Sequence, residues 1–555
     1  MLHWRGLTPE RTITHVETDR SPTRKLSPSG MVACPHALAS EAGADVLRAG
    51  GSAVDAAIAA GAVLTVVYPH MTSVGGDAFW LIYDAAARAV RFLDGGGRAA
   101  AAAGLDWFRS RGMTEIPLRG IVPATLTAPG AVDTWCLAHA AHGRLPFARD
   151  LAPAVAWARD GFPVSARLAR RTADLTDLLA ASPEAAAIFL PGGATPREGQ
   201  RLANPDLART LEAIGAAGRA GFYQGEVAAE IARYARAHGG LLTEADLRAQ
   251  RARWGEPLRG EYRGVTIYET PPPTQGFTVL EMLNLVEAFD LGSMEYLGPE
   301  AVHLLVEAKM LAFADRDRLL ADPDFVPVPV DRLLSRAYAD ERRRLIDPEQ
   351  ALAWDRVPAS GSLAGDTVYV AAVDKDGNAA SLIQSLYGAY GSGIVAGRTG
   401  VVLQNRGAYF SLDPAHPNHV APGKRPAHTL IASLACRGGE LWQVFGTMGA
   451  DGQPQIHLQA YTAMIDWGLG VAAAVASPRW LSGRFALGEP RDLLHMEARF
   501  PARTFAELER RGHSIDRWGP WHERAGHAHG VTIEPGTGRR LGGADPRSDG
   551  AAVGA

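Results

Sequence analysis

Gly365-Asp366-Thr367, followed by the run VYVAAV and a turn at Asp376-Gly377, sets a threonine at the head of a β-hairpin whose second strand runs through Leu382 to Leu386. Turn and strand residues alone account for such a hairpin, with Thr367 simply a β-branched residue suited to a strand. A second reading gives the threonine chemistry. If the bond between Asp366 and Thr367 is cut, the freed α-amine, with a reference pKa of about 7.7 to 8.0, can take the proton of its own residue's hydroxyl. Nucleophile and base then share one residue, and the branched Cβ restricts Oγ more than a serine would.

Other clusters carry weaker signals. Gly75-Gly76 and Gly95-Gly96-Gly97 could offer N–H groups to phosphate, but the GxxxxGK[ST] lysine and the GxGxxG spacing are missing. His522, Glu523, His527 and His529 lack HExxH spacing, and Gly526 and Gly530 among them suggest an ordinary loop rather than a metal site. No G-x-S-x-G elbow is present, which argues against a Ser/His/Asp hydrolase.

The elements around Thr367 read as helices laid on sheets. MVACPHALASEAGADVLRAGGSAVDAAIAA gives a short strand, a helix ending at Gly50-Gly51, and a second helix opened by a capping box of Ser52 and Asp55, with Val54, Ile58 and Gly61 on one face. Phe79 to Tyr83 and Val90 to Leu93 look like paired strands. Residues 120 to 260 are mainly helical, with a stop at Gly239-Gly240. YRGVTIYETPPPTQGFTVLEMLNLVEAF reads as strand, proline turn and helix, the helix carrying Val279, Met282, Leu283 and Val286 at helical spacing. A long helix follows around Val302 to Phe313, then a loop-rich segment from 322 to 366. Beyond Thr367 strands and glycine turns dominate, with a helix near 455 to 475.

With 555 residues, a net charge of −4 and no Lys/Arg block that tracks phosphates, the chain suits a small-molecule partner rather than nucleic acid. The isoelectric point is near 6.5. Cys34, Cys136 and Cys436 are too dispersed for a zinc site or a disulfide framework and read as core thiols. The polar N-terminal arm lacks an apolar h-region, and no run approaches the roughly 18 apolar residues of a membrane span. A cytoplasmic protein with no membrane partner is expected.

Six motifs carry a resemblance: EAGADVLRAGGSAVDAAIAA, PPPTQG, DTVYVAAVDKDGNAASL, GSGIVAGRTGVVLQN, APGKRP and GGADPRS. Between about Met31 and Arg547 the sequence resembles the γ-glutamyltransferase family of N-terminal-nucleophile hydrolases. The resemblance implies an α/β fold of four layers, an αββα sandwich. It also implies a precursor that cleaves itself to a large chain, 1–366, and a small chain, 367–555, associated as a heterodimer; pairing of two such units stays open. Thr367 becomes the catalytic nucleophile and Asp366 the residue before the cut. Ser385 matches a hydroxyl residue, usually threonine, that hydrogen-bonds the nucleophile. In GTMGADG, Gly449 and Ala450 stand where a paired-glycine loop forms the oxyanion hole. No metal or organic cofactor is implied.

The resemblance breaks where glutamate-specific members hold the substrate's ammonium and carboxylate. Tyr387 replaces an asparagine, Arg406 a glutamine and Tyr409 an aspartate, while His428 and Thr429 replace a serine pair; the usual arginine motif becomes DGGGRAA, offering Arg98 slightly displaced. A cationic Arg406 repels a substrate ammonium by up to about 4 kcal/mol at about 4 Å and suits a carboxylate instead. Its plain alternative is a structural ion pair with a nearby acid. The variant motifs are similar to oxamate amidohydrolases and cephalosporin (glutaryl) acylases. An amidohydrolase acting on an amide with an acidic acyl half is therefore expected. The alternatives are true γ-glutamyl transfer and an unprocessed binding protein.

Overall fold

The computed structural model describes residues 23–120, 127–353, 366–485, 489–490 and 492–555. Strand-forming stretches assemble two seven-stranded antiparallel sheets. In spatial order, one sheet contains Ala551–Gly554, Met31–Cys34, Asp366–Val373, Ala379–Tyr387, Asp77–Asp84, Ala89–Gly95 and Arg253–Gly255. The other contains Thr23–Ser27, Arg540–Ala544, Ala528–Ile533, Glu440–Thr447, Ser433–Arg437, Val265–Glu269 and Leu258–Tyr262.

The period-2 alternation of strands decides which residues meet. From the central hairpin, Tyr369, Ala371, Val373 and Ile383 point into a core between the sheets, where they join Leu434, Val444 and Val531 of the second sheet. Val368, Val370, Ala372 and Leu382 point the other way, onto the helices Ala37–Arg48, Ala53–Val67 and Phe147–Asp160. Behind the second sheet lie Gly276–Val286, Pro299–Leu319 and Gly452–Ile465. The result is the expected αββα sandwich. The same alternation turns Thr367 and Ser385 toward the space between the sheets.

Local readings fare well where a cap or turn fixes them. Ser52 and Asp55 form the capping box at the head of Ala53–Val67, and Gly239 takes φ +72 just past helix Gly225–Ala237. The one-face expectation for two helices needs correction. Ala53–Val67 and Gly276–Val286 are buried at every position, since further helices cover the side turned away from the sheet. Cys34 and Cys436 are buried as expected, but Cys136 is only half-buried. The segment 322–366 holds two short helices, Val330–Leu333 and Arg336–Arg343; residues 354–365 of it, and arm residues 1–22, lie outside the described residues. Among the described residues no helix is long and apolar enough to cross a membrane.

Candidate active site

Strand pairing brings Thr367 opposite Ser385, but the register slips between Asp366 and Thr367: Asp366 pairs with Tyr387, and Leu386 is skipped. This β-bulge falls at the bond expected to be cut, and Tyr387 carries its distortion at φ +82, a region that costs an L-residue roughly 1–2 kcal/mol. Thr367 Oγ donates to Ser385 Oγ at 3.1 Å, and Ser385 Oγ donates to the Asp366 carbonyl at 2.6 Å while accepting from the Tyr387 N–H at 2.7 Å. One hydroxyl thus links Thr367 Oγ to the Asp366 carbonyl. Both side chains are buried. A Cβ on Gly76 would lie 2.2 Å from the Ser385 carbonyl oxygen, so this glycine lets a neighbouring turn pass close to the hairpin.

Strand Glu440–Thr447 runs into the loop of Gly449, at φ +130, and Ala450, at φ +47, before helix Gly452–Ile465 begins. Ala450 therefore keeps a left-handed backbone despite its Cβ. Among the described residues neither N–H of this pair has an acceptor, whereas their carbonyls are used: Gly449 O accepts from Gly452 N at 2.7 Å, and Ala450 O from Gln453 N at 3.1 Å. Gln275, in the PPPTQG turn, donates to Ala450 O at 2.9 Å and to Thr429 O at 2.8 Å. Arg316 in turn donates to Gln275 Oε1 at 2.7 Å and to Asp451 at 2.9 Å. Two fixed N–H groups without an acceptor are the kind of donor pair an oxyanion requires.

Arg406 opens a single 3₁₀ turn, Arg406–Tyr409, and is fully buried. Its guanidinium lies over the Tyr387 ring at 4.3 Å from the centroid, and Tyr409 meets the same ring edge-on at 5.6 Å. Nη1 donates to Thr429 Oγ1 at 3.1 Å, while Nε and Nη2 have no partner. Burial pushes the pKa of this guanidinium down.

His428 does not supply a second cation. Its Nε2 donates to Asp77 Oδ2 at 3.1 Å and its Nδ1 accepts from Leu430 N at 3.3 Å. Burial, then Arg406 and Arg425, hold the imidazole well below its usual pKa, so it stays neutral. Asp77 accepts from Gln404 at 2.9 Å and from Gly130 N at 3.1 Å, and burial raises its carboxyl pKa to about 6 against the pull of Gln404 and Arg406. Arg98 stands apart. It donates to the Gly423 carbonyl at 2.9 Å and pairs with Asp324 at 3.0 Å, so the displaced arginine serves a surface contact and is not gathered with Arg406. Glu523, weighed as a metal ligand, is taken by Arg170 at 2.7 Å and Arg167 at 3.0 Å.

A family profile described as gamma-glutamyltranspeptidase matches residues 39–555. The chain belongs to the gamma-glutamyltranspeptidase family. It is 42% identical to the glutathione hydrolase-like YwrD proenzyme of Bacillus subtilis, covering 94% of this chain and 98% of that protein. It is 39% identical to the oxamate amidohydrolase proenzyme of Klebsiella pneumoniae, over 95% and 99% of the two chains. Cephalosporin acylase from Bacillus halodurans superposes with a TM-score of 0.89 at 35% identity, covering 99% of each chain. Its relatives are hydrolases and acylases, and the chain is an enzyme of this N-terminal-nucleophile class.

For this gamma-glutamyltranspeptidase relative, sequence reasoning missed the residues that hold the reactive groups in place. Asp77 follows Gly75-Gly76, and Gln275 precedes the closing glycine of PPPTQG. In both places a polar residue adjoins backbone that must turn tightly, and that adjacency was the available signal. Arg316 and Asp451 gave none, because their pairing joins a helix to a loop far along the chain.

Proposed function

We propose that the protein cuts its own chain between Asp366 and Thr367 and then uses Thr367 to hydrolyse amides whose acyl half carries a carboxylate. In processing, Thr367 Oγ attacks the Asp366 carbonyl carbon as its proton passes to Ser385 Oγ and the Ser385 proton moves to the carbonyl oxygen. Collapse breaks the C–N bond and protonates the new α-amine. Water then cleaves the ester, leaving an Asp366 carboxylate and a free Thr367. The two chains stay joined as a heterodimer, because strand Asp366–Val373 pairs with Met31–Cys34 and Ala379–Tyr387 pairs with Asp77–Asp84 across the future break.

In turnover the α-amine accepts the Oγ proton, Oγ adds to the substrate carbonyl, and the N–H groups of Gly449 and Ala450 receive the oxyanion. The amine half leaves with the proton, and water, deprotonated by the same α-amine, releases the acid. This residue set moves every proton and stabilises the developing charge.

The observation that carries the substrate class is the buried Arg406, two of whose nitrogens have no partner. An unpaired buried cation is costly; a substrate carboxylate bound at both nitrogens removes that cost, through charge-assisted bonds worth about 1.5–3 kcal/mol each. The relatives named for oxamate and for cephalosporin agree with an acyl group that need not be glutamyl. The test is a comparison of glutaryl, butyryl and γ-glutamyl anilides on processed protein. Glutaryl should exceed butyryl at least tenfold in kcat/KM. Faster turnover of the γ-glutamyl anilide than of the glutaryl one would overturn the reading in favour of γ-glutamyl transfer chemistry.

A further inference from the structure

Asp366 does more in the uncut chain than precede the nucleophile. Its buried carboxylate accepts from Arg171 Nη2 at 3.4 Å, and it is the acid acting on Arg119, a half-buried arginine whose Nε has no hydrogen-bond partner. Arg119 reaches the turn after Tyr387: a Cβ on Gly388 would lie 3.4 Å from its Nη2 and 3.0 Å from Asn405 Nδ2. Both guanidiniums therefore border the same few residues that hold Thr367 and Arg406.

Arginines outnumber acids here. Glu523 is shared among Arg167, Arg170 and Arg171 at 3.0, 2.7 and 3.6 Å, and of these three Asp549 reaches only Arg167, at 3.5 Å. Burial alone would raise the Glu523 pKa, yet those cations hold it well below the usual range. Asp174, at 3.8 Å from Arg171, is half-exposed and contributes little. Cleavage leaves Asp366 as a C-terminus held from one side only, and its departure takes both its side-chain carboxylate and its new α-carboxylate away from Arg119 and Arg171. Two cations next to the nucleophile then lack a tethered counter-charge, which favours an anion from elsewhere.

We propose that Arg119 and Arg171 form a second anion subsite, occupied by the Asp366 carboxylate before cleavage and afterwards by a carboxylate on the amine half of the substrate. The assignment to the amine half rests on the reading of Arg406 above as the acyl-half anchor. Arg406 is enclosed and suits the half that stays bonded to Thr367. The Arg171 side chain is 28% exposed, so it lies on the side open to solvent, by which the first product departs.

The experiment pairs N-glutarylglycine with N-glutarylglycinamide, which differ only in the amine half's charge, and adds glutaryl against butyryl anilide to report on Arg406 separately. Processed wild-type protein should favour the glycine compound by about tenfold or more in kcat/KM, as expected of one charge-assisted contact. Arg119→Gln and Arg171→Gln should each reduce that preference severalfold, Arg171→Lys should retain most of it, and the glutaryl-to-butyryl ratio should hold throughout. Equal turnover of the two glycine compounds by wild-type protein overturns the subsite, whatever the variants do, and so does a preference unaffected by both glutamine variants. A lost glutaryl preference with the glycine preference intact would instead refute the role of Arg406.

Discussion

Replacing Arg406 by glutamine should lower activity toward a glutaryl amide without lowering stability. The guanidinium is buried, stacks on Tyr387 and makes one side-chain hydrogen bond, to Thr429, while two nitrogens lack partners. Removing it forfeits a cation–π contact of about 0.5–2 kcal/mol and one hydrogen bond of about 1 kcal/mol. It also relieves a buried unpaired charge whose desolvation costs several kcal/mol. The denaturant midpoint of Arg406→Gln should thus stay level or rise. Against a glutaryl anilide, losing a charge-assisted contact of about 1.5–3 kcal/mol lowers kcat/KM by roughly 10- to 150-fold. A butyryl anilide should change by less than about threefold, and a γ-glutamyl anilide should improve as repulsion of its ammonium ends. The assays are chemical denaturation and anilide release on processed protein. Equal losses for the charged and neutral acyl groups, together with a fall in stability of more than about 2 kcal/mol, would show that Arg406 is a packing element.

Two further predictions concern the groups around it. Ser385→Ala removes the hydroxyl between Thr367 and the Asp366 carbonyl, so the full-length band on a denaturing gel should persist at least about a hundredfold longer than in wild type, with Ser385→Thr processing at a near-normal rate. The Asp77 carboxyl, raised from 3.8 to about 6 by burial, holds its proton more tightly folded than unfolded. Its contribution to stability is therefore complete below about pH 3.8 and lost as pH rises through about 6, by an amount on the order of 3 kcal/mol. Urea titrations of wild type and Asp77→Asn between pH 4 and 7 should show that step in the first and not in the second.

Much of the fold was legible because it is written in short-range rules. The hairpin of Asp366–Val373 and Ala379–Tyr387 follows from its β-favouring residues and the Asp376-Gly377 turn, and the Ser52 capping box marks its helix start. The fully buried helices were less legible, since a helix covered on all sides has no polar face to break its pattern. At the site, the resemblance located Thr367, Ser385 and the Gly449-Ala450 loop, and the structure places the first two in hydrogen-bond contact. Arg98 misled because residue type and approximate position cannot say which way a side chain leaves a turn. The neutral state of His428 was hidden for a different reason: it depends on burial and on Arg406 and Arg425, cations brought near only by packing. The bulge at Tyr387 was equally hidden, because strands buried on both faces carry no polar alternation to mark a slip of register.

The most direct test is to find the acyl group during turnover. Processed protein would be mixed with a glutaryl anilide and quenched in acid, which prevents migration of the ester to the adjacent amine, and its small chain mapped by tandem mass spectrometry. The mechanism predicts one glutaryl group, as an ester, on a peptide whose first residue is Thr367. Acylation of another residue, or full turnover by protein still continuous from Asp366 to Thr367, would contradict it.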